Sequence, residues 1–200
     1  MRERDGERDG FEKAGSKREA ILQAAWSLIR HYGYNKTTMD DIARRAGVAK
    51  GTLYLHFQSK TEIMLSLTDR TNERIVAKLE ELAATPAPPA ERLRACLLHR
   101  VMALYDIVDR YPHSQDVIAK MMPEVVARLD HYVRRHGEIL GRIVREGCAA
   151  GAFRAADPEA AGRLLAELFE FLTPPYYRFP NRASLEGFAN RVVDLALRGL

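Results

Sequence analysis

Leu53 and Phe57 stand four residues apart and mark the inward face of one short helix, about residues 50–57. The positions left over on that helix carry Lys50, Gly51, Thr52, Tyr54 and His56. An ammonium, a hydroxyl, a phenol and an imidazole on one exposed helix suit hydrogen bonding to phosphate oxygens and base edges. The chemistry this constellation implies is therefore binding, with nucleic acid as the expected partner.

The elements that must hold those groups are legible on either side. Ile21, Ala24, Ala25, Leu28 and Ile29 recur at helical spacing, and Gly33 closes the stretch. Thr38 followed by Asp41 has the form of an N-cap with an acid in the first turn, and Met39, Ile42, Ala43 and Ala46 give the next helix an apolar face up to Gly47. A turn of three to four residues then leads to the helix at 50–57. Two short helices joined by a tight turn with glycine at its start form a helix-turn-helix, in which the second helix enters the major groove. An ordinary helical hairpin is the alternative, but residues 50–57 are short for a bundle member. Ser59 and Lys60 open a longer helix to about Ala84.

Charge placement agrees. Residues 16–60 hold eight Lys or Arg against three acids, residues 1–15 hold four against five, and the remaining 140 residues hold 19 of each. The whole excess of the formal +4 net charge lies in one segment, the footprint of a phosphate-binding module beside a neutral partner domain.

Residues 1–15 alternate acids, bases and glycines and are expected to form a disordered tail. The connection at Thr85, Pro86, Ala87, Pro88 and Pro89 cannot continue a helix. Beyond it, helices are expected near 90–110, 114–122, 124–150, 158–173 and 184–199, separated by Pro112, Pro123, Gly151 with Asp157 and Pro158, and the loop Thr173–Pro180. No segment alternates with a two-residue period. The expected fold is all-α: a helix-turn-helix domain at 16–62 and a helical effector-binding and dimerisation domain at 63–200.

Other chemistry is poorly represented. No GxSxG, HExxH or strand-borne GxGxxG is present, so the chain does not read as an enzyme. Cys96 and Cys148 lack the spacing of a zinc site and suggest no disulfide, and His131 and His136, five apart, do not share a helix face. No cofactor or metal is expected. No apolar run approaches the roughly 18 residues needed to span a bilayer, and the amino terminus lacks the apolar core of a secretory signal. The expectation is a soluble, cytoplasmic protein.

The stretch TMDDIARRAGVAKGTLYLHFQSK, Thr38 to Lys60, preceded by Ile21, Leu22, Gln23, Ala24, Ala25 and by Gly33 and Tyr34, resembles the TetR family of bacterial transcriptional regulators. The likeness runs for about 50 residues without a gap. It extends beyond them only through length, helical content and Gly151, Ala152, Phe153 followed by Asp157 and Pro158. The resemblance implies that Thr38 gives its hydroxyl and backbone N–H to a phosphate and that Lys60 makes a similar contact. Tyr54 and His56 carry ring donors for phosphates, Gly51 permits close backbone approach, and Lys50 and Thr52 suit guanine acceptors and the thymine methyl. Leu55 could touch that methyl or simply pack; His56 could be merely solvated, and Trp26 suits packing. Ala49, where many family members carry Ser or Thr, cannot cap the recognition helix and suggests one that orders fully only on DNA.

By the same resemblance the larger domain binds a small effector and forms a homodimer through its last two helices, giving a repressor released from a palindromic operator in double-stranded DNA. Leu164, Leu165, Leu168, Phe171 and Leu172 crowd the penultimate helix, and Leu185, Phe188, Val192 and Leu195 the last. These suit pairing with a two-fold copy or packing on their own core. Met102, Tyr105, Met121, Met122 and Phe169, with Asp106 as the polar member, suit a largely apolar effector pocket, though the same residues also suit plain core.

Overall fold

A computed structural model describes residues 16–109, 114–172 and 179–200, and the side chains of all of these except 107–126. The expected tail at 1–15 and the loop at 173–178 lie outside the described residues. Every regular element among those described is an α-helix, which agrees with the all-α reading. The chain divides after Leu67 into two units.

In the first unit, Ser16 caps α1 (Lys17–Tyr32) by accepting the Glu19 N–H, and Gly33 ends it at φ 88°. Thr38 opens α2 (Met39–Ala46) with a reciprocal capping box: its Oγ1 accepts the Asp41 N–H, and the Asp41 carboxylate accepts the Thr38 N–H, both at 3.1 Å. Gly47 closes α2 at φ 67° and ψ 31°, the left-handed conformation in which glycine carries no Cβ penalty. The chain turns there into α3 (Lys50–His56), and α4 (Lys60–Ala83) follows. α1 packs on α2 and α3, and Ile21, Ala25, Ile42, Leu53, Phe57 and Ile63 are fully buried.

The second unit contains most of α4, then α5 (Pro89–Asp109), α6 (Ser114–Ala149), α7 (Pro158–Glu170) and α8 (Arg182–Gly199). Pro89 takes the first position of α5, and Asp157 caps α7 with Pro158 behind it; in both places the missing proline N–H is one that no helix would use. One expectation is overturned: α6 runs unbroken through Pro123. A proline deletes one hydrogen bond and crowds the preceding turn, but it need not end a helix. Here the residues that follow hold the helix in place, since Tyr132, Ile139, Leu140, Ile143 and Val144 are all buried in the core.

α6 and α7 form the most intimate helix pair. A Cβ on Gly162 of α7 would stand 2.3 Å from the Gly141 backbone nitrogen and 2.6 Å from the Gly137 carbonyl oxygen. The two backbones touch because neither carries a side chain at the crossing. The GxxxG spacing of Gly137 and Gly141 in α6 was a readable signal for this contact, and the sequence reading passed over it.

Candidate nucleic-acid interface

α3 is held by its inward face and open on the other. Leu53 and Phe57 are fully buried, whereas Lys50, Gly51, Tyr54, Leu55 and His56 are exposed and Thr52 is half-buried. Leu55 is 84% exposed, so packing within the chain does not account for it. Ala49 occupies the N-cap with no side-chain hydrogen bond, as an alanine must. α3 is helical without that cap, with Leu53 and Phe57 buried beneath it. Ala49→Ser should therefore add stability, by about 0.5–2 kcal/mol, without changing the fold. Slower amide exchange across residues 50–56 and a higher melting temperature would show it.

Gly51 is informative because nothing among the described residues requires it. A Cβ there would meet no atom within 4 Å, and its φ lies in the ordinary range. Glycine inside a helix costs about 1 kcal/mol relative to alanine. Open space above a glycine on an exposed helix is room for a close approach from outside.

The two cations of the motif are not idle. Lys50 Nζ lies 2.8 and 3.0 Å from the two carboxylate oxygens of Asp40 on α2, which raises the ammonium's pKa above its usual value. Lys60 donates to the carbonyls of Tyr34 at 2.5 Å and Thr37 at 2.8 Å, and its ammonium sits 4.1 Å from the centre of the Tyr34 ring. Lys60 thus fastens the loop that delivers Thr38 to the start of α2. Thr38 itself gives both its hydroxyl and its N–H to Asp41, and these bonds hold the Asp41 carboxyl below its ordinary pKa. A phosphate at this helix start would compete with Asp41 for the same donors. Asp41 was paired with Thr38 from sequence, but Asp40 was not singled out as a partner of Lys50.

Residues 21–67 match the model of the tetR family of bacterial regulatory proteins, and residues 89–193 match the tetracyclin repressor-like C-terminal domain. The chain belongs to the TetR family. A relative, the HTH-type transcriptional repressor KstR of Mycolicibacterium smegmatis, is 38% identical over 140 residues, covering 69% of this chain and 68% of its own. A TetR/AcrR-family regulator from Thermobifida fusca superposes with a TM-score of 0.73 at 26% identity, over 92% of this chain and 97% of its own. The Bacillus subtilis regulator FadR, solved in complex with stearoyl-CoA, has a TM-score of 0.66 at 22% identity, over 90% and 98% of the two chains. This TetR-family protein is thus a DNA-binding transcriptional regulator, not an enzyme.

In the C-terminal unit of this TetR-family regulator, three of the residues expected to line an effector pocket share one core. Phe169 is buried in the core, with Met102 and Tyr105 half-buried against it. Asp106 is half-buried and forms an ion pair with the more exposed Arg182. The side chains of Met121 and Met122 lie outside the described residues. A cleft of about 240 Å³ opens between α6 and α7, lined by Leu129, Val133, Arg134, Arg163, Glu170 and Phe171 among others; it shares no residue with the expected pocket. His131 is exposed and His136 buried, on different faces of α6. Cys96 is buried, which pushes its thiol up to about 12, and Cys148 is half-buried.

The leucine-rich face expected of α7 divides in two. Leu165 and Phe169 are core residues, while Leu164, Leu168 and Phe171 are 56%, 48% and 59% exposed. On α8, Leu185, Ala189 and Val193 face the core, Leu195 is 73% exposed, and Phe188 and Val192 are half-buried. No described helix is long and apolar enough to cross a membrane.

Proposed function

We propose that this regulator is a homodimeric repressor, acting in the cytoplasm, that leaves a palindromic operator when a largely apolar small molecule binds its C-terminal unit. The observation that carries the DNA half of this reading is the open, basic-flanked face of α3 with an unexplained glycine in its first turn. Lys50 and Thr52 are assigned to base edges, with Gly51 allowing the approach. Tyr54, His56 and Thr38 are assigned to phosphates. Lys60, whose ammonium already serves two carbonyls, acts by fastening Thr38 in place as well as by its charge. The dimer half is supported by the apolar stripe on α7 and α8, since two recognition helices must meet half-sites about one helical turn apart. The FadR neighbour binds stearoyl-CoA, whose acyl chain is apolar and whose coenzyme A moiety is strongly anionic, so only the acyl part supports a largely apolar effector. Such a ligand acts through its difference in affinity for the DNA-competent and released states.

The test is binding to the DNA immediately upstream of the protein's own gene, over a salt series. Dimer-stoichiometric, palindrome-dependent binding with a steep salt slope is expected. Lys50→Ala should weaken it by about 1–3 kcal/mol and relax specificity at one position of each half-site. Gly51→Ala should leave melting temperature unchanged or slightly raised, because helix propensity improves, yet lower operator affinity. Full operator affinity in Gly51→Ala would contradict the close approach assigned to that residue.

A further inference from the structure

Asp40 is an acid on a face that should favour bases. Residues 16–60 carry eight Lys or Arg, and their acids are Glu19, Asp40 and Asp41. Asp41 closes the capping box of α2. Asp40, one residue earlier, takes no part in that box. Its two carboxylate oxygens lie 2.8 and 3.0 Å from Lys50 Nζ instead, so the first turn of α2 is joined to the first residue of the recognition helix. The side chains of Lys50 and Asp40 are 63% and 55% exposed. An ion pair so open to water adds little to folding, so stability does not account for it.

The pairing changes what Lys50 can bind. A bare lysine is a point charge on a long flexible stem. On DNA it is drawn to the nearest phosphate, a contact that carries no sequence information. With Asp40 beside it the two groups sum to zero charge, and that attraction is largely cancelled. The ammonium has more N–H donors than Asp40 engages, so one remains for an acceptor outside the chain. Guanine O6 and N7 are neutral acceptors on a base edge and can take that donor without any net charge on the protein side. The carboxylate also fixes the ammonium at one place beside the start of α3, from which it reaches one base position rather than several.

We propose that Asp40 is a specificity-determining positioning residue: by neutralising and anchoring Lys50, it turns a phosphate-seeking lysine into a reader of guanine. This rests on the assignment of Lys50 to base edges made above.

The probes are the duplex that the wild-type protein enriches from a random-sequence pool and a scrambled duplex of the same composition. Asp40→Asn keeps the shape of the side chain and removes its charge. It should bind the scrambled duplex several-fold more tightly, with a salt slope steeper by about 0.9 for each protomer on the DNA. Its preference for the enriched duplex should fall roughly tenfold or more, concentrated at one guanine of each half-site. Asp40→Glu, which retains a carboxylate, should recover most of that preference. In a Lys50→Ala background, Asp40→Asn should cause no further loss of preference, because the residue it positions is gone. Melting temperatures of the Asp40 variants should stay close to that of the wild type, which a purely structural role for the pair would not allow. Wild-type discrimination in Asp40→Asn would overturn the proposal. So would an equal loss in both backgrounds, which would mean that Asp40 acts on DNA by itself. A wild-type protein that enriches no sequence would remove the base-reading assignment, and this proposal with it. Normal enrichment with an indifferent Asp40→Asn would remove the proposal alone.

Discussion

Replacing Leu168 and Phe171 together by glutamate should convert the proposed dimer to a monomer in solution. Leu164, Leu168 and Phe171 fall at i, i+4 and i+7, so they form one stripe on α7, and all three are about half exposed or more. Large apolar side chains aligned in this way mark a surface that another surface covers. Burial of such a stripe against its two-fold copy is favourable at about 25 cal/mol per Å² of apolar surface. Two carboxylates per protomer placed there would have to leave water unpaired, a cost of several kcal/mol that a dimer of ordinary size does not absorb. The fold should survive, because the inward side of α7 is carried by Leu165, Ala166 and Phe169, none of which changes. Sedimentation or light scattering reads the mass, and circular dichroism the helical content. Operator affinity should fall by roughly 10³-fold or more, toward non-specific binding, since each monomer reaches one half-site. A variant that stays dimeric would show that this stripe is not the interface.

Gly162→Ala should be among the most damaging single methyl additions in the molecule. The new Cβ would stand 2.3 Å from the nitrogen and 2.5 Å from the Cα of Gly141. Those are backbone atoms of a packed helix, with no rotamer to yield. Relief requires α6 and α7 to separate along their whole contact, which opens voids beside Leu165 and Phe169. Overpacking of this kind costs about 1–3 kcal/mol, and the backbone contact places this case at the upper end. For a chain of this size that corresponds to a fall in melting temperature of about 6–12 °C. Gly187→Ala supplies the control. Its Cβ would meet only the end of the Arg191 side chain at 3.8 Å, so the better helix propensity of alanine should stabilise by up to about 1 kcal/mol. Calorimetry of the two variants beside the wild type checks both signs.

The N-terminal unit was legible in the sequence because its rules are local. Thr38 and Asp41 are three residues apart and satisfy each other's backbone within one turn. Gly33 and Gly47 stop helices by backbone geometry that needs no knowledge of the rest of the chain. The same holds for Asp157 before Pro158. The segregation of positive charge into residues 16–60 was likewise a matter of counting.

What tertiary structure alone decided concerns side chains that meet across distant positions. Helical spacing grouped the leucines of α7 but could not tell Leu165, which enters the core, from Leu164 and Leu168, which leave it, since adjacent stripes on one helix differ only in what packs against them. The ion pair of Lys50 with Asp40 and the seat of Lys60 on the Tyr34 and Thr37 carbonyls depend on how α2, α3 and α4 turn toward one another. Pro123 was read as a break because a proline weakens a helix locally, and the burial of residues downstream overrode it. Arg100 of α5 donates to both His136 of α6 and Glu170 of α7, yet the three are 36 and 34 residues apart in turn and carry no shared spacing. Periodicity records which residues avoid water; it does not record which of the buried polar atoms find each other, because that is settled only when three helices close around them.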